Sequence, residues 1–257
     1  LAIFTAYSAK SMRLIILTVF FAPVFLILAS CEPENQACFK SSGPADEVRF
    51  DTEAFSSIAV NDYFELVLVP QSEYYVCIRA GKNLIPFVDW EVNSHCLSIS
   101  NKNRCTWLRK YEPIEIEIGF NELSEISLYQ SASLTNIDTI TASWFSVDNH
   151  TGFSNISLCL RCDSLFFRVH ASTGDYRLSG SSEYAYVYNR GTGFLYADSM
   201  HVNRMHLVHM STGKSRVQVE NLLMIEKIVH GKVYSLLCPY IATSDTASLQ
   251  LLVKEGC

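Results

Sequence analysis

The chain has little charge, few glycines and prolines, and no surplus of basic residues. Charged side chains make up 18% of its 257 residues, too few for a polymer held open by self-repulsion. Eleven glycines and seven prolines exclude collagen-like and low-complexity sequence. Twenty Lys and Arg stand against 26 Asp and Glu, a formal charge of −6, which excludes a general nucleic-acid binder. The sequence has no G-x-S-x-G elbow, no H-E-x-x-H pair and no P-loop. What it does have is a 49% hydrophobic fraction, with 13 Tyr and 15 Phe. That is ample for a core, and at this length one all-β solenoid or barrel can take the whole chain.

Compartment is written at the N-terminal end. Met12-Arg13 precedes an apolar stretch over residues 14–29, which ends in Leu28-Ala29-Ser30-Cys31. A basic start, a short apolar core and small residues before the cut are the parts of an export signal. The stretch is short for a membrane span, which takes about 20 residues, and it contains Pro23. The last four residues resemble a lipobox, which predicts lipidation at Cys31 and an outer-membrane lipoprotein of a Gram-negative envelope. The expected division is a signal peptide over residues 1–30, a lipidated tether over 31–45 and a β-helical domain over 46–257. Glu32 and Glu34 serve either as an acidic surface-export signal or as a solvated tether. The membrane, reached through the lipid on Cys31, is one expected partner.

An exported chain meets an oxidising compartment, and eight cysteines remain beside Cys31. Cys38 in the tether and Cys105 in a loop-like stretch are candidates for a bridge that clamps the tether to the domain. Cys77 and Cys96 fall inside alternating runs and read as buried small hydrophobes. Cys159 and Cys162 form a CxxC without the helix N-terminus that a redox pair uses; structural thiols or a local bridge fit better. No second pair at finger spacing accompanies them, so no metal and no cofactor is expected.

From residue 47 to 118 short runs alternate with period two, as in Phe64-Glu-Leu-Val-Leu-Val69 and Ile114-Glu-Ile-Glu-Ile118. Such runs are half-buried strands, and the fold class is all-β. Beyond residue 120 a repeat emerges. Ser131-Ala132, Thr151-Gly152, Thr173-Gly174, Thr192-Gly193, Thr212-Gly213 and His230-Gly231 recur about every 20 residues. A small-residue turn at that period, between alternating apolar runs, predicts a parallel β-helix-like solenoid. Four residues before successive glycines stand Asp148, His170, Asn189 and His209. Stacked, they form a polar ladder with two readings: a metal or glycan site, or a satisfied stack of turn side chains, which irregular spacing favours.

Polysaccharide cleavage needs clustered carboxylates. Asp138, Asp148, Asp163, Asp175 and Asp198 do not recur with the coil, so they are not expected to stack. His230-Gly231-Lys232 faintly resembles a pectinase signature but lacks the accompanying acidic motifs. Four Asp-Ser/Thr-aliphatic triplets resemble O-glycosylation acceptors at Thr139, Ser164, Ser199 and Thr246, and are equally turn chemistry. Tyr184, Tyr186 and Tyr196 are either sugar-stacking rings or core and cross-coil stacks.

The order of features is itself distinctive. A lipobox cysteine and tether lead to Phe55-Ser-Ser-Ile58, Phe64-Glu-Leu-Val-Leu-Val69, Val76-Cys-Ile-Arg-Ala-Gly-Lys-Asn-Leu84 and Leu97-Ser-Ile-Ser-Asn-Lys-Asn103, then to glycine-punctuated coils. This resembles the putative auto-transporter adhesin, head GIN domain family over about residues 46 to 240, although no literal Gly-Ile-Asn is present. The resemblance implies a β-helical extracytoplasmic domain and brings no catalytic residues. The expected function is a non-catalytic envelope lipoprotein with an adhesive or binding surface for a glycan or protein. The alternative is a polysaccharide lyase or hydrolase on the same scaffold.

Overall fold

The structure, a computed structural model, describes residues 41–103 and 113–257. The leader, the lipidation candidate Cys31 and the Cys38–Cys105 pair lie outside the described residues. Among the described residues seventeen strands join in one hydrogen-bonded sheet that winds into a solenoid. The early strands are short: β1 (Ala45–Asp51), β2 (Ser57–Val60), β3 (Phe64–Pro70), β4 (Tyr75–Gly81), β5 (Val88–Asn93), β6 (Cys96–Asn101), β7 (Glu115–Phe120), β8 (Glu125–Leu128) and β9 (Ala132–Asn136). Later ones are long: β10 (Ile140–Asn149), β11 (Ser154–Ser172), β12 (Asp175–Gly191), β13 (Phe194–Ser211) and β14 (Ser215–Ile228). Three short strands close the chain: β15 (Val233–Ser235), β16 (Tyr240–Thr243) and β17 (Leu252–Lys254). Among the described residues no helix is long and apolar enough to cross a membrane.

Period-two alternation decides which side chains enter the core. In β3 the burial alternates as the sequence does, with Phe64, Leu66 and Leu68 inside. Parallel pairing with a step of 20 residues stacks these positions into columns. One runs Leu97, Ile58, Ile126, Val147, Phe167, Val187, Leu207, Ile225. Every member is at most 1% exposed. Ile58 and Ile126, like Val147 and Phe167, therefore meet at the spacing of neighbouring strands, about 4.8 Å.

Coil order departs from chain order at the start. β2 pairs with both β6 and β8, and β3 with both β7 and β9. The first coil thus lies between the second and the third. Antiparallel strands border the outer coil, β4 against β7 with β1 beyond it, and β5 against β6. A stack of parallel coils leaves an open sheet edge that templates aggregation, and these strands occupy it. At the opposite end a disulfide joins Cys238 to Cys257 around β16, a 3-10 turn (Thr246–Leu251) and β17.

The recurring small-residue turns sit at one corner. Gly152, Gly174, Gly193, Gly213 and Gly231 each lie between the end of one long strand and the start of the next element. At Gly174 (φ +138°) an added Cβ would lie 1.8 Å from the Ser154 carbonyl of the coil below. At Gly213 it would lie 2.2 Å from the Gly193 carbonyl. Glycine is required there because coil backbones approach within contact distance.

Candidate functional site

In the runs 144–150, 164–170, 184–190 and 204–206 the even-numbered residues lie on the face opposite the core, so each coil adds a row to an outer face. Trp144, Ser164, Tyr184 and Arg204 share one column, and Ser146, Phe166, Tyr186 and His206 the next. Asp148, Arg168 and Tyr188 form a third. Trp144 and Phe166 are 6.0 Å apart, Phe166 and Tyr186 6.2 Å, and Tyr186 and His206 5.2 Å. Tyr184 and Tyr186 are half-buried cross-coil stacks outside the core. Tyr196 belongs elsewhere, stacked on Phe194 at 6.5 Å with the Arg177 guanidinium 5.1 Å from its ring. A solvent-facing run of rings 5.2–6.2 Å apart is a ready surface for apolar faces of sugars or for a protein partner.

Beside this run lies a polar cluster. Asp148 Oδ1 is 2.6 Å from His170 Nε2 and 3.2 Å from His150 Nε2. Its other oxygen accepts from Arg168 Nη2 at 2.8 Å, which also donates to Ser146 Oγ at 3.1 Å. The two imidazoles stack at 4.2 Å and 4°. Tyr129 stacks on His150 from one side, and Tyr188 meets His170 on the other.

The four residues of the expected ladder do not share a column. Asn189 and His209 are register partners, and both are fully buried. Asp148 pairs with Arg168 rather than His170, and both Asp148 and His170 face outward. For His170 the cause is a register shift between Val169 and Ser172, and for Asp148 it is the shorter turn from the end of β10 to Gly152. Counting back from the glycine slips by one residue in some coils, and one residue reverses the face. Asn189 and His209 instead join a buried polar corner. Ser215 lies 3.0 Å from His209 Nδ1, and Asn189 Nδ2 donates to Ser215 Oγ at 3.4 Å. Burial pushes the His209 pKa down to about 4. His209 Nε2 and Asn189 Oδ1 make no hydrogen bond to protein.

His150 was not expected from the sequence, although its spacing of 20 from His170 was a usable signal. Across β11 to β14 a groove of about 540 Å³ is lined by Arg161, Asp163, Glu183, His201, Asn203 and Glu220, among others. Asn203 Nδ2 donates to Glu183 Oε1 at 2.6 Å, and Arg204 Nη2 stands 3.6 Å away. Cys77, Cys96, Cys159 and Cys162 are free thiols. Burial raises the pKa of Cys162, and burial with the Glu47 hydrogen bond takes Cys77 to about 11. Neither is an activated nucleophile.

The profile of the family described as "Putative auto-transporter adhesin, head GIN domain" matches residues 54–237. The chain belongs to this family. Its head GIN domain is similar to the crystal structure of a putative adhesin from Bacteroides fragilis, at 16% identity and a TM-score of 0.69, covering 82% of this chain and 94% of that one. A putative lipid binding protein from Parabacteroides distasonis gives 15% identity and 0.57, covering 84% and 96%. A putative adhesin from Parabacteroides merdae gives 13% and 0.54, covering 84% and 96%. No curated protein matches. At these identities the structures establish the solenoid fold, and the family describes an adhesin-type domain of the cell surface or envelope.

Proposed function

We propose that the chain is a non-catalytic envelope lipoprotein, anchored through lipid on Cys31, whose head GIN domain displays a binding face for extended glycans. The carrying observation is the outward run Trp144, Phe166, Tyr186 and His206 from four successive strands, with Tyr184 beside Tyr186 on the same strand. Stacked rings match the apolar faces of successive sugars, and a rigid solenoid presents them without ordering a loop. The lipobox, the tether and the adhesin names of family and neighbours support the cell-surface setting.

The test combines protease shaving of intact cells, alongside a periplasmic control, with glycan and matrix-protein arrays. The expected result is loss of the protein on shaving, and glycan binding that Phe166→Ala with Tyr186→Ala abolishes. Protection from protease would overturn surface display, and binding unaffected by the two substitutions would overturn the face. Cleavage of a polysaccharide would assign the groove of Asp163, Glu183 and Glu220 to catalysis and overturn the non-catalytic reading.

A further inference from the structure

We propose that Asp148, His150 and His170 bind one divalent transition-metal ion of the zinc class. Two imidazole nitrogens with one carboxylate oxygen suit zinc, copper or nickel, whereas calcium and magnesium take cages of oxygen. The donor atoms lie within 4.8 Å of one another. A tetrahedral ion with bonds of about 2.0–2.1 Å holds its ligand atoms about 3.4 Å apart. The 3.2 Å between Asp148 Oδ1 and His150 Nε2 already matches, and the 2.6 Å to His170 Nε2 opens by under about 1 Å.

The scaffold fixes what must be fixed. Asp148 is in β10 and His150 directly follows that strand, while His170 is in β11, its parallel neighbour. Arg168 holds Oδ2 of Asp148 and leaves Oδ1 toward the imidazoles. A hydrogen-bonded ligating carboxylate of this kind is the usual support of a metal site. Tyr129 and Tyr188 flank the ring pair. The side chains of His150 and His170 are 41% and 40% exposed, so each ring can turn toward a shared ion and its open position faces solvent. This ion site is independent of the ligand of the aromatic face.

The experiment is a calorimetric titration of the purified, tag-free chain with Zn²⁺, and with Co²⁺ as a spectroscopic probe. One equivalent of Zn²⁺ is expected to bind. His150→Gln and His170→Gln should each weaken it by more than about tenfold, the least that loss of a supporting partner costs. His95→Asn, at an exposed histidine on the turn between β5 and β6, should leave it unchanged. Visible Co²⁺ bands without thiolate charge-transfer absorption would place the ion on nitrogen and oxygen. No saturable binding, unchanged affinity in both imidazole variants, or thiolate bands from the free cysteines would each overturn the site. If a variant fails to fold, the Co²⁺ spectrum of the unaltered chain still decides.

Discussion

The coils before β10 and those after it solve the same packing problem with different materials. Before it, strands of four to seven residues stop at every corner, and antiparallel strands border the stack. After it, strands of 14–19 residues pass a corner unbroken and pair in parallel. One inward column shows the contrast within a single register. Ile99, Val60 and Leu128 occupy it early, and Asn149, Val169, Asn189 and His209 occupy it late. Early coils bury hydrocarbon at that corner, whereas late coils bury a polar chain beside the glycine turns. Beside the close backbone approach at Gly174 and Gly213, Ser, Thr and Asn side chains fill the corner and bond to each other.

The comparison predicts two cooperative units that share one core. Phe167→Ala empties the middle of the apolar column and should destabilise by about 3–5 kcal/mol. Phe64→Ala, equally buried in the early coils, should cost a similar amount. The two should differ in where the structure opens, since solenoid coils couple mainly to their neighbours. Native-state hydrogen exchange should show faster exchange over β11–β14 in Phe167→Ala and over β2–β9 in Phe64→Ala. Identical patterns would mean that the two regions unfold as one and that the distinction is only geometric.

The same contrast explains what could be read in the sequence. Gly174 and Gly213 announce the late coils because their turns need a residue that admits a neighbouring carbonyl, and Gly193 because its turn admits the Tyr176 ring, whereas Gly152 stands in open space. Early coils gave no repeat, since β2 and β3 are inserted between later strands and hairpin-like pieces interrupt the period. At the candidate site, Asp148 and His170 were visible as polar residues near turns, but their facing was not. The shift between Val169 and Ser172 changes parity, and no local pattern in that stretch reports it. His150 was legible only through its distance of one coil from His170, and the aromatic columns through the same step of 20. The Cys238–Cys257 bridge depends on how the last coil closes, which cysteine spacing alone does not fix.

Acid should discriminate between the two regions. His209 is fully buried with its pKa pushed down to about 4 by burial, whereas an unfolded histidine titrates near 6.5. Between these values the unfolded chain binds the extra proton, so stability is complete above about pH 6.5 and falls as pH drops toward 4. The contribution lost is about 3 kcal/mol. Urea midpoints at pH 7.5 and 4.5 should fall less in His209→Asn than in the unaltered chain. Exchange at the lower pH should rise first in the late coils. An equal pH slope in both proteins would show that His209 is not the titrating group.

The smallest effect belongs to the early coils, where charge rather than a buried polar chain ties strands together. Arg79 on β4 makes contacts of 2.8 Å with Glu47 on β1 and with Glu115 and Glu117 on β7. One guanidinium thus bridges three strands. The Tyr75 hydroxyl donates to Glu117 at 2.6 Å, and the Arg49 guanidinium lies 3.8 Å from the Tyr75 ring. Desolvation raises the pKa of Glu117, but the hydrogen bonds from Tyr75 and Arg79 outweigh it, and the net shift is downward. Arg79→Met leaves three carboxylates facing one another without their cation. Because Arg79 is 37% exposed, solvent screens the patch, and the expected loss is about 1 kcal/mol at low salt. At about 1 M salt the Debye length contracts to about 3 Å and the difference between variant and unaltered chain should shrink. Thermal midpoints at the two salt concentrations measure this. A loss that salt does not change would mean that the side-chain stem of Arg79 packs β4 onto β7, and that early and late coils differ in strand length but not in the kind of force that joins them.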